Sequence, residues 1–100
     1  MAQELNTALK TAMRERDTHK VAALRLILAV VQNKEIAKKA SLTDEEMIVL
    51  LKTEAKKRQE ALDIYQKAKR QELAQKEAFE LKLIKEFLPQ PLGEAVKAAL

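Results

Sequence analysis

Residues 42–65 read LTDEEMIVLLKTEAKKRQEALDIY, and this stretch decides the fold class. Thr43 followed three residues later by Glu46 forms a capping box, in which each side chain satisfies a free backbone N–H of the other residue. Asp44, Glu45 and Glu46 also place negative charge at the positive end of the helix dipole. Beyond the cap, at about 100° per residue, Met47, Leu51, Ala55, Leu62 and Tyr65 share one arc, and Lys52, Lys56, Gln59 and Asp63 lie opposite. The spacing predicts an amphipathic helix that must bury one side. Two charges, Glu54 and Arg58, fall inside the arc that should be apolar.

The same period runs through the neighbouring segments. A first helix is expected from about Gln3 to Arg16, with Leu5, Leu9, Ala12 and Met13 on its stripe. RERDTHK, residues 14–20, reads as a connection, and Asp17 or Thr18 can cap the second helix. That helix runs to about Lys38 with the stripe Val21, Leu24, Leu28 and Val31, while Leu26, Ile27 and Val30 add apolar surface on its flanks and back. A helix apolar nearly all round belongs in the middle of a bundle. The other reading is that Leu26 and Val30 face a partner protein or a further domain. After a turn at KAKR, residues 67–70, a fourth helix is expected from Arg70 or Gln71 to Leu88, with Leu73, Ala74, Leu81, Ile84 and Leu88 on its stripe and Phe87 at its margin. Pro89 and Pro91 end it, because proline lacks an N–H and disfavours helical geometry in the residue before it. GEAVKAAL, residues 93–100, has the composition of a further helix that is too short to stand alone.

A single Gly and two Pro in 100 residues leave few breakers, and Ala, Leu, Lys, Glu and Gln are strong helix formers. The expected fold is all-α: a small antiparallel bundle of four main helices over residues 1–88, followed by a proline-containing linker and a truncated fifth helix over 89–100. A chain of this length supports one domain with one modest core.

Charges also intrude on other stripes. Arg25 borders the apolar face of the second helix, and Glu77 and Glu80 interrupt that of the fourth. An isolated buried charge is very costly, so intruders should pair with opposite ones. Arg25, Glu54, Arg58, Glu77 and Glu80 can form a nearly balanced network, and arginine suits it because its planar fork engages two carboxylate oxygens. The alternative is a shallow polar cleft in which paired carboxylates share a proton.

Several chemistries have no residues to carry them. There is no cysteine, hence no disulfide and no thiolate, and a reducing compartment is compatible. His19 stands alone, so no zinc-type ligand set is spaced along the chain, and no metal or cofactor is expected. Gly93 is the only glycine, so there is no phosphate loop, and Ser41 is the only serine, without a neighbouring base. VAALRLILAVV, the longest apolar run, is broken by Arg25 and is about half the length that spans a bilayer. The opening MAQELNTALK has no apolar h-region. The chain therefore reads as cytoplasmic and not membrane-bound.

The net charge of +4 favours anionic partners. Lys56, Lys67, Lys69 and Arg70 form the candidate RNA-facing patch, since such side chains contact phosphates independently of sequence. The aromatics Tyr65, Phe79 and Phe87 read as core residues rather than stacking platforms for bases. Interspersed Asp and Glu favour the plainer reading of a solvated face.

LTDEE at 42–46, KTEAKKRQEA at 52–61, Tyr65 and KAKRQELAQKEAFELKLIKEFLPQPL at 67–92, with RLILAVVQNKEI at 25–36 upstream, together resemble the YqeY-like proteins in order and spacing. The resemblance covers about residues 5–92. It implies an all-helical fold similar to the C-terminal helical region of the B subunit of glutamine-dependent aspartyl/glutamyl-tRNA amidotransferase. It implies as partner tRNA or a translation-linked protein, and it brings the family's label of carbon–nitrogen ligase with glutamine as amide donor. By position the pattern covers Arg25, Asn33, Glu35, the LTDEE cap, Glu54, Lys56, Lys57, Arg58, Tyr65, Arg70, Leu73, Glu77, Leu88 and Pro89. Lys69 stands where the family has Gly, so a distorted turn or a helix that runs on is expected there. The family also continues with another helical domain after the prolines, which makes this chain a shortened member or a fragment. Three functions follow as expectations: a non-catalytic helical domain that binds tRNA or a translation protein, a subunit of the amide-transferring ligase, or a structural interaction module.

Overall fold

Local capping marks most of the helix boundaries. The structure, a computed structural model that describes residues 2–89, has among those residues four helices and no strand: α1 (Ala2–Arg14), α2 (Thr18–Lys38), α3 (Asp44–Lys67) and α4 (Gln71–Phe87). Asp17 caps α2, its carboxylate accepting a 3.1 Å hydrogen bond from Lys20 N–H. Thr43 and Glu46 form the expected box: Thr43 Oγ1 accepts from Glu46 N–H at 3.1 Å, and Glu46 Oε1 accepts from Thr43 N–H at 3.0 Å. Leu88 leaves α4 in extended geometry before Pro89. The expected fifth helix lies outside the described residues.

The first three helices end alike. One residue past α2 and two past α1 and α3, the chain adopts left-handed geometry, at Lys39 (φ 63°), Arg16 (φ 57°) and Lys69 (φ 58°). Arg16, Lys39 and Lys69 donate to Met13, Ile36 and Gln66 carbonyls, and the following residues Asp17, Ala40 and Arg70 donate to Ala12, Glu35 and Tyr65 carbonyls. This is the Schellman pattern, which satisfies carbonyls that helix ends leave free. Of the two expectations for Lys69, a distorted turn or a helix that runs on, the second is overturned: α3 stops at Lys67, and two backbone bonds hold Lys69 in a conformation that its Cβ disfavours. The same pattern ends α1 at Arg14 rather than Arg16.

α1 packs on α2 and α3 on α4, and α2 meets α4. Arg58, midway along α3, lies against Glu77 and Glu80, midway along α4, which the short turn at 68–70 permits only if the two helices run antiparallel. One core draws on all four helices. Leu5, Leu24, Met47, Leu51 and Ile84 are its largest fully buried side chains, each contributing about 1.5–3 kcal/mol by leaving water.

The buried arcs depart from the expected stripes in particular places. On α2 the arc is centred nearer Ala23 and Ile27, which are buried with Leu24 and Val31, while Val21 and Leu28 are only partly covered. On α4 the buried set Ala74, Glu80, Leu81, Leu83 and Ile84 spans about half the helix circumference. That width follows from packing against two neighbours, and it takes in Leu83. Met13 and Leu73 share the apolar phase but are exposed, since both lie near the ends of their helices. Phe79 is 39% exposed. It falls just outside the α4 arc and so is not the core aromatic expected.

Candidate nucleic-acid interface

Arg58 organises the polar seam between α3 and α4. Its Nε lies 3.3 Å from Glu80 Oε2, and its Nη1 lies 3.7 Å from Glu77 Oε2. Glu80 is 4% exposed. These are ion pairs without hydrogen-bond geometry: Arg58 Nε and Glu77 Oε2 are shut off from solvent and have no hydrogen-bond partner. Burial raises the pKa of the Glu80 carboxyl, the Arg58 guanidinium opposes the shift, and the Glu77 carboxylate adds to it. The structure thus brings Arg58, Glu77 and Glu80 together. Glu54 is 7% exposed but, among the described residues, pairs with none of them, and Arg25 is exposed and forms no ion pair with Glu77 or Glu80.

The loop from α2 to α3 holds a polar cluster that periodicity does not reveal. Glu35 Oε2 accepts from Leu42 N–H at 3.1 Å. Lys38 Nζ donates to the Ser41 carbonyl at 3.1 Å and forms a close ion pair with Glu46 Oε1. The Lys38 contact, followed by the Thr43 N–H bond, lowers the Glu46 pKa from 4.5 to about 2. Opposite charges flanking a short loop were the only sequence signal for this clamp. It orients the start of α3, so it serves the fold rather than a ligand.

Lys56, Lys67, Lys69 and Arg70 are all exposed. Lys56 and Lys67 are eleven positions apart on α3, which returns them to nearly the same face about 16 Å apart along the axis. Lys69 and Arg70 follow in the turn and line a small groove of ≈ 390 Å³ with Tyr65, Gln66 and Gln71. Arg70 occupies the N-cap of α4 without a side-chain cap bond. Tyr65 is half-buried in that groove.

A larger open groove of ≈ 720 Å³ runs between α2 and α4. Ala23 and Leu26 of α2 and Phe79 of α4 form its apolar part, with Asp17, His19 and Lys76 also lining it. Leu26 is 40% exposed here, and Val30 is half-buried. Glu80 reaches the same groove from the polar seam. Among the described residues no group of three or more His, Asp or Glu is placed to hold a metal ion, and no helix is long and apolar enough to cross a membrane.

The chain is 29% identical over 82 residues to an uncharacterised protein of Schizosaccharomyces pombe, C22F3.15, covering 82% of this chain and 67% of that one. The family model described as Yqey-like protein matches residues 2–100, essentially the whole sequence. That match over essentially the whole sequence, to a chain whose described residues are all helical or connecting, shows that the chain belongs to the YqeY-like family.

Proposed function

We propose that this chain is a non-catalytic helical domain of the cytoplasm, related to the tRNA amidotransferase tail, that binds tRNA through the α3–α4 turn. The observation that carries the reading is the exposed run Lys67, Lys69 and Arg70 in one backbone-ordered turn, continued along α3 by Lys56. A cation held on an ordered turn loses less freedom on contacting a phosphate than one on a frayed end. The family resemblance supplies tRNA as the partner. A role in amide transfer has less support, since the sequence contains no cysteine and its single serine, Ser41, is an exposed loop residue.

The test is retention of a tRNA transcript on a filter across 50–200 mM salt. Binding that weakens with salt, and a plot of log K against log salt made shallower by about 0.7–0.9 for each of Lys67→Gln and Arg70→Gln, is the expected result. Salt-independent or absent retention rejects the reading. In parallel, the chain alone with glutamine and misacylated tRNA is expected to form no amide product.

A further inference from the structure

Tyr65 has the helical phase of a core aromatic, but it is only half-buried and forms part of the wall of the groove at the α3–α4 turn. Two cations, Lys69 and Arg70, line the same groove, as do three amide side chains, Gln66, Gln71 and Gln75. Among the described residues no carboxylate lines it. Backbone bonds tie these residues together across the turn. Arg70 N–H donates to the Tyr65 carbonyl at 2.8 Å, and Lys69 N–H donates to the Gln66 carbonyl at 3.1 Å.

A phosphate by itself needs only the two cations and leaves the aromatic wall unused. A nucleotide uses every element. Its base has a π-face that stacks on an aromatic ring whatever the base. Its phosphate takes up the Lys69 and Arg70 charges without sequence preference. The amides carry both donors and acceptors, so they can meet the edge of a base. A duplex keeps its bases stacked inside and offers this groove only its backbone, whereas an unpaired base can be splayed out onto a ring. The volume of ≈ 390 Å³ lies at the small end of ligand sites of about 300–1,000 Å³, which suits one nucleotide rather than a run of them.

We infer that this groove holds a single unpaired nucleotide of an RNA strand, its base stacked on Tyr65 and its phosphate against Lys69 and Arg70. This rests on the RNA-binding reading and adds to the basic patch a contact that carries no charge.

Tyr65 is the only tyrosine and there is no tryptophan, so the intrinsic emission of the chain reports this groove alone. The test titrates the full chain with a short oligouridylate, with the same strand annealed to its complement and with the unmodified tRNA transcript, correcting for absorbed light against free N-acetyltyrosinamide. Saturable quenching by the single strand and the tRNA, and little by the duplex, is the expected result. In filter binding of the oligouridylate, Tyr65→Leu is expected to weaken retention about 5- to 150-fold while keeping the wild-type salt slope, because no charge is lost. Tyr65→Phe is expected to bind like the wild type. Urea midpoints read by circular dichroism show whether Tyr65→Leu folds, and the quenching of the wild type requires no variant. Retention of the tRNA on the filter with Tyr65 emission unquenched overturns the inference and leaves the RNA reading standing, as does equal quenching by duplex and single strand. Absence of tRNA retention overturns both.

Discussion

Arg58 Nε stands 3.3 Å from Glu80 Oε2, with Glu77 Oε2 at 3.7 Å from Nη1 of the same guanidinium, so one cation serves two carboxylates across the α3–α4 seam. Removing that cation leaves both acids facing each other in a largely dry seam. Arg58→Met is expected to destabilise the chain by about 2–4 kcal/mol, short of a fully buried pair because Arg58 keeps some contact with water. Adding Glu80→Gln in that background should recover part of the loss. Urea unfolding measures both, and an unchanged midpoint for Arg58→Met would refute the role assigned to the seam.

The acid limb of the stability profile should separate two glutamates of opposite sign. Glu46 is depressed from 4.5 to about 2, so its contribution is complete above pH 4.5 and fades as pH falls towards 2. Glu80 is raised. The folded chain therefore holds that proton at pH values where the unfolded chain has lost it, and stability declines as pH rises through the interval above 4.5. Urea midpoints from pH 2 to 8 should show Glu46→Gln removing the loss below 4.5, and Glu80→Gln flattening the decline above it. Superimposable profiles for the wild type and Glu80→Gln would contradict the assigned shift.

The capping box at α3 predicts that Thr43→Ala costs about 1 kcal/mol, because Glu46 N–H loses its acceptor at a helix start. Chemical denaturation reads the value. Thr43→Asp should retain most of the stability, and equal losses in both variants would point away from capping.

Two leucines on α2, two positions apart, should respond very differently. Leu24 is fully buried and Leu26 is 40% exposed on the groove. Leu24→Ala is expected to cost about 2–5 kcal/mol and Leu26→Ala under about 1 kcal/mol. Comparable losses would mean that the rotation of α2 described above is wrong.

Lys39→Gly should raise stability by about 0.5–1 kcal/mol, the relief of left-handed strain less the lost attraction of a cation to the helix end. Thermal or urea unfolding of the single variant suffices. A destabilised variant would show that the Lys39 side chain makes a contribution larger than its strain.

The sequence by itself determined the fold class and most helix boundaries. Local chemistry suffices there: the Thr43–Glu46 box, Asp17 as a cap and Pro89 act on their own few residues of backbone, and the 3.6 period of Met47 and Leu51 requires no partner to be recognised. Tertiary structure decided which charges meet and which apolar residues are covered. Arg58, Glu54, Glu77 and Glu80 all intrude on apolar stripes, but pairing depends on the registry of α3 against α4, and that brings Arg58 to Glu77 and Glu80 without Glu54. Likewise Leu83 is buried and Phe79 is not, because α4 packs against two helices whose directions no single-helix period records. The left-handed turn at Lys69 lay beyond local reading for the same reason: intrinsic preference argued against it, and it is held by backbone bonds whose formation depends on where α3 must stop for α4 to return along it.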